Sequence, residues 1–333
     1  MARLSIRLGN DPQLSPQDYL DLARLADDGG YESLWMTEGA GRDALTLLTS
    51  IAMATEKLNV ATGILPIYGR TPVITAMSAS GLAAVSGGRF ILGLGVGNRS
   101  SVESAHGIPF RRPLTRLRET ITIVRRLLDG EQVTFKGKEF QVAGVSLGAA
   151  GPSGRVPIYI AALGPQMLEL AGEMADGVLL SWAPPGYMAQ VAEHVRRGAV
   201  KAGRDPSEID IAGYVRVAVA DDPDAIGAAR SALQREIGRY AGNPFYRSFF
   251  RQMGFEAEMS VAEQALARGD VAGAEAAITP AMQDQLALLG SGGECREELE
   301  RIREAGLQQP VIAPFAVGDH VPSYRRAIEA FAQ

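Results

Sequence analysis

Across 333 residues this sequence holds one cysteine, four lysines and three histidines, and each scarcity removes a class of chemistry. The single thiol, Cys295, excludes an internal disulfide framework and a cysteine-based metal site. It falls in an expected surface helix, Glu294–Ala305, with no basic partner to activate it. Lys57, Lys136, Lys138 and Lys201 all lie away from the C-terminal ends of the expected strands, which argues against a Schiff-base enzyme. His106, His194 and His320 are scattered over a loop, a helix and a turn after the last strand, so they offer no paired metal ligands. No Gly-x-Ser-x-Gly elbow follows a strand. No apolar run reaches the ~18 residues that span a bilayer, and Met1–Arg7 lead straight into a strand. With 21% charged residues and a formal net charge of -5, there is no basic footprint for nucleic acid. These absences predict a cytoplasmic protein that acts on a small molecule, with no metal, membrane or nucleic-acid partner.

What is present is an alternation. Short β-branched or apolar runs give way to longer amphipathic ones: strands over Leu4–Gly9, Ser33–Glu38, Leu58–Leu65, Arg89–Gly97, Pro157–Leu163, Gly177–Trp182, Ile209–Ala220 and Pro310–Val317. Between them lie helices with clear start signals, such as Ser15-Pro16, Asp43, Pro72, Pro113, Pro165 and Pro185, and a closing helix from Ser323. Eight βα units without a break favour an α/β fold of the (β/α)8 TIM-barrel type over an open sheet. The chain reads as one domain, 1–333, with insertions at about 98–112, 131–155 (hairpin-like) and 240–292 (helical, in place of a simple seventh helix).

In such barrels chemistry sits on the loops after the strand C-termini. Those positions include Glu38-Gly39, Gly63-Ile64-Leu65, Gly95 to Asn98, Ala161-Ala162 through Gly164, Ser181-Trp182 and Tyr214 to Arg216. Small residues with isolated polar ones suit a flat, largely apolar ligand. The spacing Gly93-x-Gly95-x-Gly97 lacks the following helix and acidic residue of a dinucleotide fingerprint, and close approach of a ring system explains these glycines better. Gly164-Pro165-Gln166-Met167 opens a helix at a strand end, so its free N–H groups suit a phosphate, with the Ser181 hydroxyl as a further donor.

Several stretches resemble one family over nearly the whole chain: Ser86 to Gly95, Pro113 to Glu119, Leu128 to Glu131, Phe135 to Lys138, Ile158 to Ala162, Gly164-Pro165 and Ala175 to Gly177. They are similar to the luciferase-like monooxygenase superfamily. Within it the chain resembles the coenzyme F420-dependent branch, and most of all the archaeal 5,10-methylenetetrahydromethanopterin reductases, through Pro157–Asp176, Ile209–Tyr214, Arg268–Gly273 and Leu288–Gly306. The resemblance implies F420 as cofactor, hydride transfer at the deazaflavin C5, and a non-prolyl cis peptide at Gly63-Ile64 that supports the back of the ring. Glu38 and Asn98 are the candidates for catalysis, Glu38 because a carboxylate beside an apolar ring suits proton handling or a ring hydrogen bond. The residues expected to hold the cofactor are Glu38, Gly39, Gly63, Ile64, Leu65, Asn98, Ala161, Ala162, Gly164, Pro165, Gln166, Met167 and Ser181.

The chain also departs from those relatives. The sugar-phosphate dehydrogenases of the F420 group carry Asp-His where Glu38-Gly39 stands and Glu where Asn98 stands. The methanopterin reductases have an acidic residue at Asn98 and another near Arg7. The expected substrate is therefore a small imine, enone or carbonyl compound, with Arg7, Arg42, Tyr68, Trp182 and Tyr214 shaping its pocket. An FMN-dependent two-component monooxygenase and a non-catalytic flavin-binding barrel are the alternatives. Apolar outer helices suggest a homodimer.

Overall fold

Ser15 shows how the outer helices begin. Its hydroxyl accepts the Asp18 N–H at 3.2 Å while the Asp18 carboxylate accepts the Ser15 N–H at 2.7 Å. This reciprocal cap, with Pro16 fixing the first turn, opens α1 (Pro16–Asp28). Tyr19, Leu22, Ala23 and Ala26 then recur on one face and are buried. Asp43 and Thr71 cap α2 (Ala44–Ala54) and α3 (Pro72–Val85) in the same manner. The computed structural model describes residues 3–39 and 41–333.

Eight parallel strands form a closed ring: β1 (Ser5–Leu8), β2 (Ser33–Met36), β3 (Asn59–Thr62), β4 (Phe90–Gly95), β5 (Ile158–Ala161), β6 (Gly177–Leu180), β7 (Asp210–Val219) and β8 (Gln309–Pro314). Closure runs through β8, which pairs with β1 on one side and β7 on the other, while β7 also pairs with β6. The expected (β/α)8 barrel is therefore what the chain forms. α4 (Pro113–Leu128), α5 (Pro165–Met174), α6 (Met188–Lys201), α7 (Gly292–Glu304) and α8 (His320–Phe331) complete the outer ring. The strands are buried on both faces, as parallel strands covered by helices must be. Trp35, Ala61, Ile91, Tyr159, Leu179, Ala212, Tyr214, Val311 and Ala313 fill the barrel, and their strand neighbours pack outward under the helices. At the N-terminal end a polar layer closes it: Ser5 and Ser33 hydroxyls meet at 2.7 Å, and Trp35 Nε1 and Gln309 Nε2 donate into the pair at 2.8 and 2.9 Å. The open end is thus the C-terminal one. No helix among the described residues is long and apolar enough to cross a membrane.

The insertions differ in part from expectation. Residues 131–155 do contain an antiparallel hairpin, Val133–Lys136 with Gln141–Val145. Its tip is clamped by the buried Glu119 of α4, whose carboxylate accepts the Lys138, Glu139 and Phe140 N–H groups at 2.7, 2.9 and 3.0 Å. Residues 98–112 hold a helix, Arg99–His106, so His106 ends a helix rather than riding on a loop. The helical insertion starts at Pro223, with the 19-residue helix Pro223–Ala241 capped by Asp222, well before residue 240. It does not replace the seventh helix, because α7 takes that place and packs on β7 and α8. Between them, Ala287–Gly290 adds a short parallel strand beside Arg216–Val219. Cys295 is not on an exposed face: it is buried under α7, its thiol donating to the Gly290 carbonyl at 3.7 Å, and burial pushes its pKa up to about 11. His320 is the first residue of α8, which starts three residues earlier than Ser323 suggests.

Candidate active site at the barrel mouth

At the end of β3 the chain turns through Gly63-Ile64, and this peptide bond is cis, as the resemblance implied. Two side chains hold its carbonyl. Tyr214 Oη donates to Gly63 O at 2.6 Å and Thr37 Oγ1 donates to the same oxygen at 2.9 Å. Burial pushes the Tyr214 phenol up to about 12 although Arg7 beside it pulls the other way, so the hydroxyl stays a donor. Ile64 lies over β4: a Cβ added at Gly95 would sit 3.0 Å from Ile64 and 3.2 Å from the Ala161 methyl. Gly63, Ile64, Gly95 and Ala161 are therefore one continuous apolar surface at the mouth.

That surface leads to α5. Gly164 caps α5 with no side-chain bond to the first turn, Pro165 is its first residue, and nothing lies within 4 Å of where a Gly164 side chain would begin. Among the described residues the Gln166 N–H has no acceptor, whereas the Met167 and Leu168 N–H groups both donate to the Gly164 carbonyl at 3.1 Å, so the helix start offers one open amide rather than the several expected. Ser181, at the end of the neighbouring β6, has its carbonyl held by Arg216.

Other expected residues are placed less directly. Leu65 pairs with Leu94, and both Leu65 and Ala162 pack outward into the shell beneath the helices. Asn98 is exposed, and its carboxamide oxygen accepts the Ser101 N–H at 2.8 Å as the cap of the Arg99–His106 helix. Gly39 bridges to Arg42 at the edge of the mouth. Glu38 is held by Arg70, whose guanidinium lies 3.3 Å from Glu38 and 2.5 Å from Asp43. Arg70 carries no periodic or motif signal in the sequence and was not foreseen. Gly93 has a cause other than ligand approach: a Cβ there would stand 1.9 Å from the Thr62 carbonyl oxygen, so the β3–β4 contact itself demands glycine.

Of the residues expected to line the pocket, Arg7 and Tyr214 face the mouth together, the Arg7 guanidinium carbon 5.0 Å from the Tyr214 ring centre. Trp182 is fully buried, with the Arg216 guanidinium 3.5 Å from its ring centre and Tyr240 and Phe250 edge-on at 5.6 and 5.7 Å. It joins the helical insertion to the barrel. Tyr68 stacks on Phe110 at 4.9 Å beneath Arg116, which ties the insertion after β4 to the loop after β3. Arg42 donates to the Leu14 carbonyl and covers Tyr19. His194 pairs with Glu169 at 3.3 Å and His320 with Asp11 at 2.5 Å. A surface depression of about 300 Å³ between Arg24, Asp27 and Lys57 lies at the barrel's other end. There Asp27 accepts the Glu56, Lys57 and Leu58 N–H groups, a structural clamp rather than a site.

A model of the luciferase-like monooxygenases matches residues 3–309. The chain belongs to this family. Among luciferase-like proteins it is 35% identical to the 5,10-methylenetetrahydromethanopterin reductase of Methanolobus tindarius, over 96% of this chain and 95% of that one. The solved coenzyme F420-dependent tetrahydromethanopterin reductase of Methanopyrus kandleri superposes with a TM-score of 0.82 at 26% identity, covering 100% of this chain and 98% of that one. An F420-dependent secondary alcohol dehydrogenase, solved with an F420–acetone adduct, shares the fold at a TM-score of 0.76 and 20% identity, covering 100% and 99%.

Proposed function

We propose that this luciferase-like protein is a coenzyme F420-dependent oxidoreductase acting on a small organic substrate that carries an imine, enone or carbonyl group. The observation that carries this reading is the join of an apolar platform, Gly63-Ile64 with Gly95 and Ala161, to an uncapped helix start three residues further on. A planar ring with a phosphate-bearing tail fits that pair of surfaces. The coenzyme F420-dependent reductase of Methanopyrus kandleri supports F420 as its identity. Bound there, the deazaflavin supplies a hydride at C5.

The chain's own groups then have separate tasks. The open Gln166 N–H at the positive end of α5 and the Ser181 hydroxyl hold the anionic tail. Tyr214 and Thr37 fix the Gly63 carbonyl and with it the platform. Glu38, kept in place by Arg70, offers a carboxylate oxygen for a ring hydrogen bond or for proton handling, while Asn98, its carboxamide oxygen spent on the Ser101 N–H, keeps only its amide N–H groups to offer the ring. The loops after β3 and β4, joined through Tyr68 and Phe110, narrow access for water.

Fluorescence-quench titration of the apoprotein tests this. F420 should bind at least roughly tenfold more tightly than flavin mononucleotide. Gly164→Asp, which places a carboxylate against the tail and caps α5 itself, should weaken F420 by roughly 10- to 100-fold. The reverse preference would move the protein to the FMN oxygenases. Tight binding without turnover on any imine, enone or carbonyl would make it a silent barrel.

We also propose that the protein is a homodimer. Ile74, Met77, Gly81 and Val85 form one outward stripe on α3, where Met77 is 57% exposed, and Met53 on α2 is 76% exposed. In sedimentation equilibrium Met77→Glu should shift a dimer toward monomer, and a wild-type monomer at all concentrations would end the idea.

A further inference from the structure

Arg7 is a cation that the barrel surrounds without neutralising. It sits at the C-terminal end of β1, in register with Trp35 on β2, and points into the mouth. Its Nε donates to Thr37 Oγ1 at 3.1 Å. Among the described residues no carboxylate approaches it within ion-pair distance, and Nη1 and Nη2 have no protein acceptor. Other arginines around the mouth differ: Arg70 meets Glu38 and Asp43, and Arg216 meets Glu236 at 3.6 Å and the Ser181 carbonyl. Burial works against the charge on Arg7, yet the phenols of Tyr214, Tyr240 and Tyr324 and the carboxylate of Glu236 favour it, and its pKa stays above the ordinary value.

The position of this cation matters as much as its charge. Thr37, which takes the Arg7 Nε, and Tyr214, whose ring lies against the guanidinium, are the same two side chains that hold the Gly63 carbonyl. The free fork is therefore locked to the platform on which the redox ring is proposed to rest. A guanidinium with Nε engaged and both Nη groups free presents two parallel donors, which match a carboxylate or a phosphate. The phosphate of the proposed cofactor is assigned to the start of α5, which leaves a carboxylate as the partner for this fork.

We infer that Arg7 anchors a carboxylate of the substrate, so that the imine, enone or carbonyl compound acted on beside Gly63-Ile64 is an organic acid. This rests on the function proposed above and narrows its substrate class. The anchored end places the reactive carbon by distance from a fixed point, which is how a binding group orients a small substrate.

The test uses full-length protein saturated with F420 and four probes: crotonate and benzoate, with crotonamide and benzamide as their uncharged counterparts, titrated by calorimetry. The acids should bind roughly 10- to 100-fold more tightly than the amides. Arg7→Gln should erase that preference, and Arg7→Lys should restore part of it. Equal binding of acids and amides by the wild type, or an acid preference that survives Arg7→Gln, overturns the inference. If the wild type prefers acids yet binds flavin mononucleotide over F420, the cofactor reading fails and the anion subsite stands.

Discussion

Gly63→Ala should abolish tight cofactor binding, with a loss above roughly 100-fold, and lower stability by about 3 kcal/mol. A Cβ on Gly63 would lie 2.0 Å from Tyr214 Oη and 3.3 Å from Trp35 Cε3, inside the packed barrel. The phenol must swing away, which breaks its 2.6 Å bond to the Gly63 carbonyl and disturbs the ring contact with Arg7. Thr37 alone then holds the platform. Because the closest clash is with one oxygen atom, Tyr214→Phe should rescue in part: the double variant should recover at least half of the lost stability in urea unfolding, a coupling that distant sites would not show. Cofactor affinity should recover less, since the tether to Gly63 is absent in both variants. If Gly63→Ala binds F420 as the wild type does, the mouth platform is not where the ring rests.

Residues 59–66 also show what a sequence can disclose. The strand, the turn and the start of α3 follow from local signals: an apolar β-branched run, a glycine, then Thr71-Pro72. The alternation of such units reads as a barrel because each signal is complete within about twenty residues. The uncapped start of α5 is legible in the same manner, since Gly164-Pro165 has no side chain to cap with. What stays hidden is contact across the ring. Glu38 is visible as a carboxylate after β2, but its tie to Arg70 joins two loops. Glu119 reads as one more polar residue of α4, yet it receives three N–H groups of a hairpin about twenty positions on. Gly93 reads as ligand space and is in fact a strand-to-strand contact. The helical insertion begins ahead of residue 240 for a local reason: Asp222-Pro223 caps and opens the helix Pro223–Ala241, a start signal that is itself present in the sequence. Trp182, as an aromatic at a strand end, looks like pocket lining, and only the fold shows Arg216 and Phe250 sealing it.

Asp176 should carry the largest single share of stability outside the apolar core. It closes the loop between α5 and β6, and its carboxylate takes the Ile158 N–H at 2.7 Å together with the guanidinium groups of Arg125 and Arg155. Its own carbonyl accepts the Asp210 N–H at 3.0 Å, so this turn fastens β5, β6 and β7 at the closed end of the barrel. Burial alone would raise the Asp176 carboxyl; Arg125, the Ile158 N–H and Arg155 outweigh it and hold the group below the usual carboxylate range. A carboxylate whose pKa is lower folded than unfolded contributes stability above the unfolded value and loses it as pH falls through the folded one. Asp176→Ala leaves Arg125 and a strand N–H without their acceptor and should cost about 3 kcal/mol at pH 7, a fall in Tm of roughly 4 °C for a chain of this size. Asp176→Asn, which keeps the shape and one acceptor, should cost less. The gap between wild type and Asp176→Asn, read by calorimetry from pH 7 downward, should stay constant to about pH 4 and then close. A gap that is absent at pH 7, or that persists unchanged well below pH 3, would show that the charge on Asp176 does not fasten the three strands.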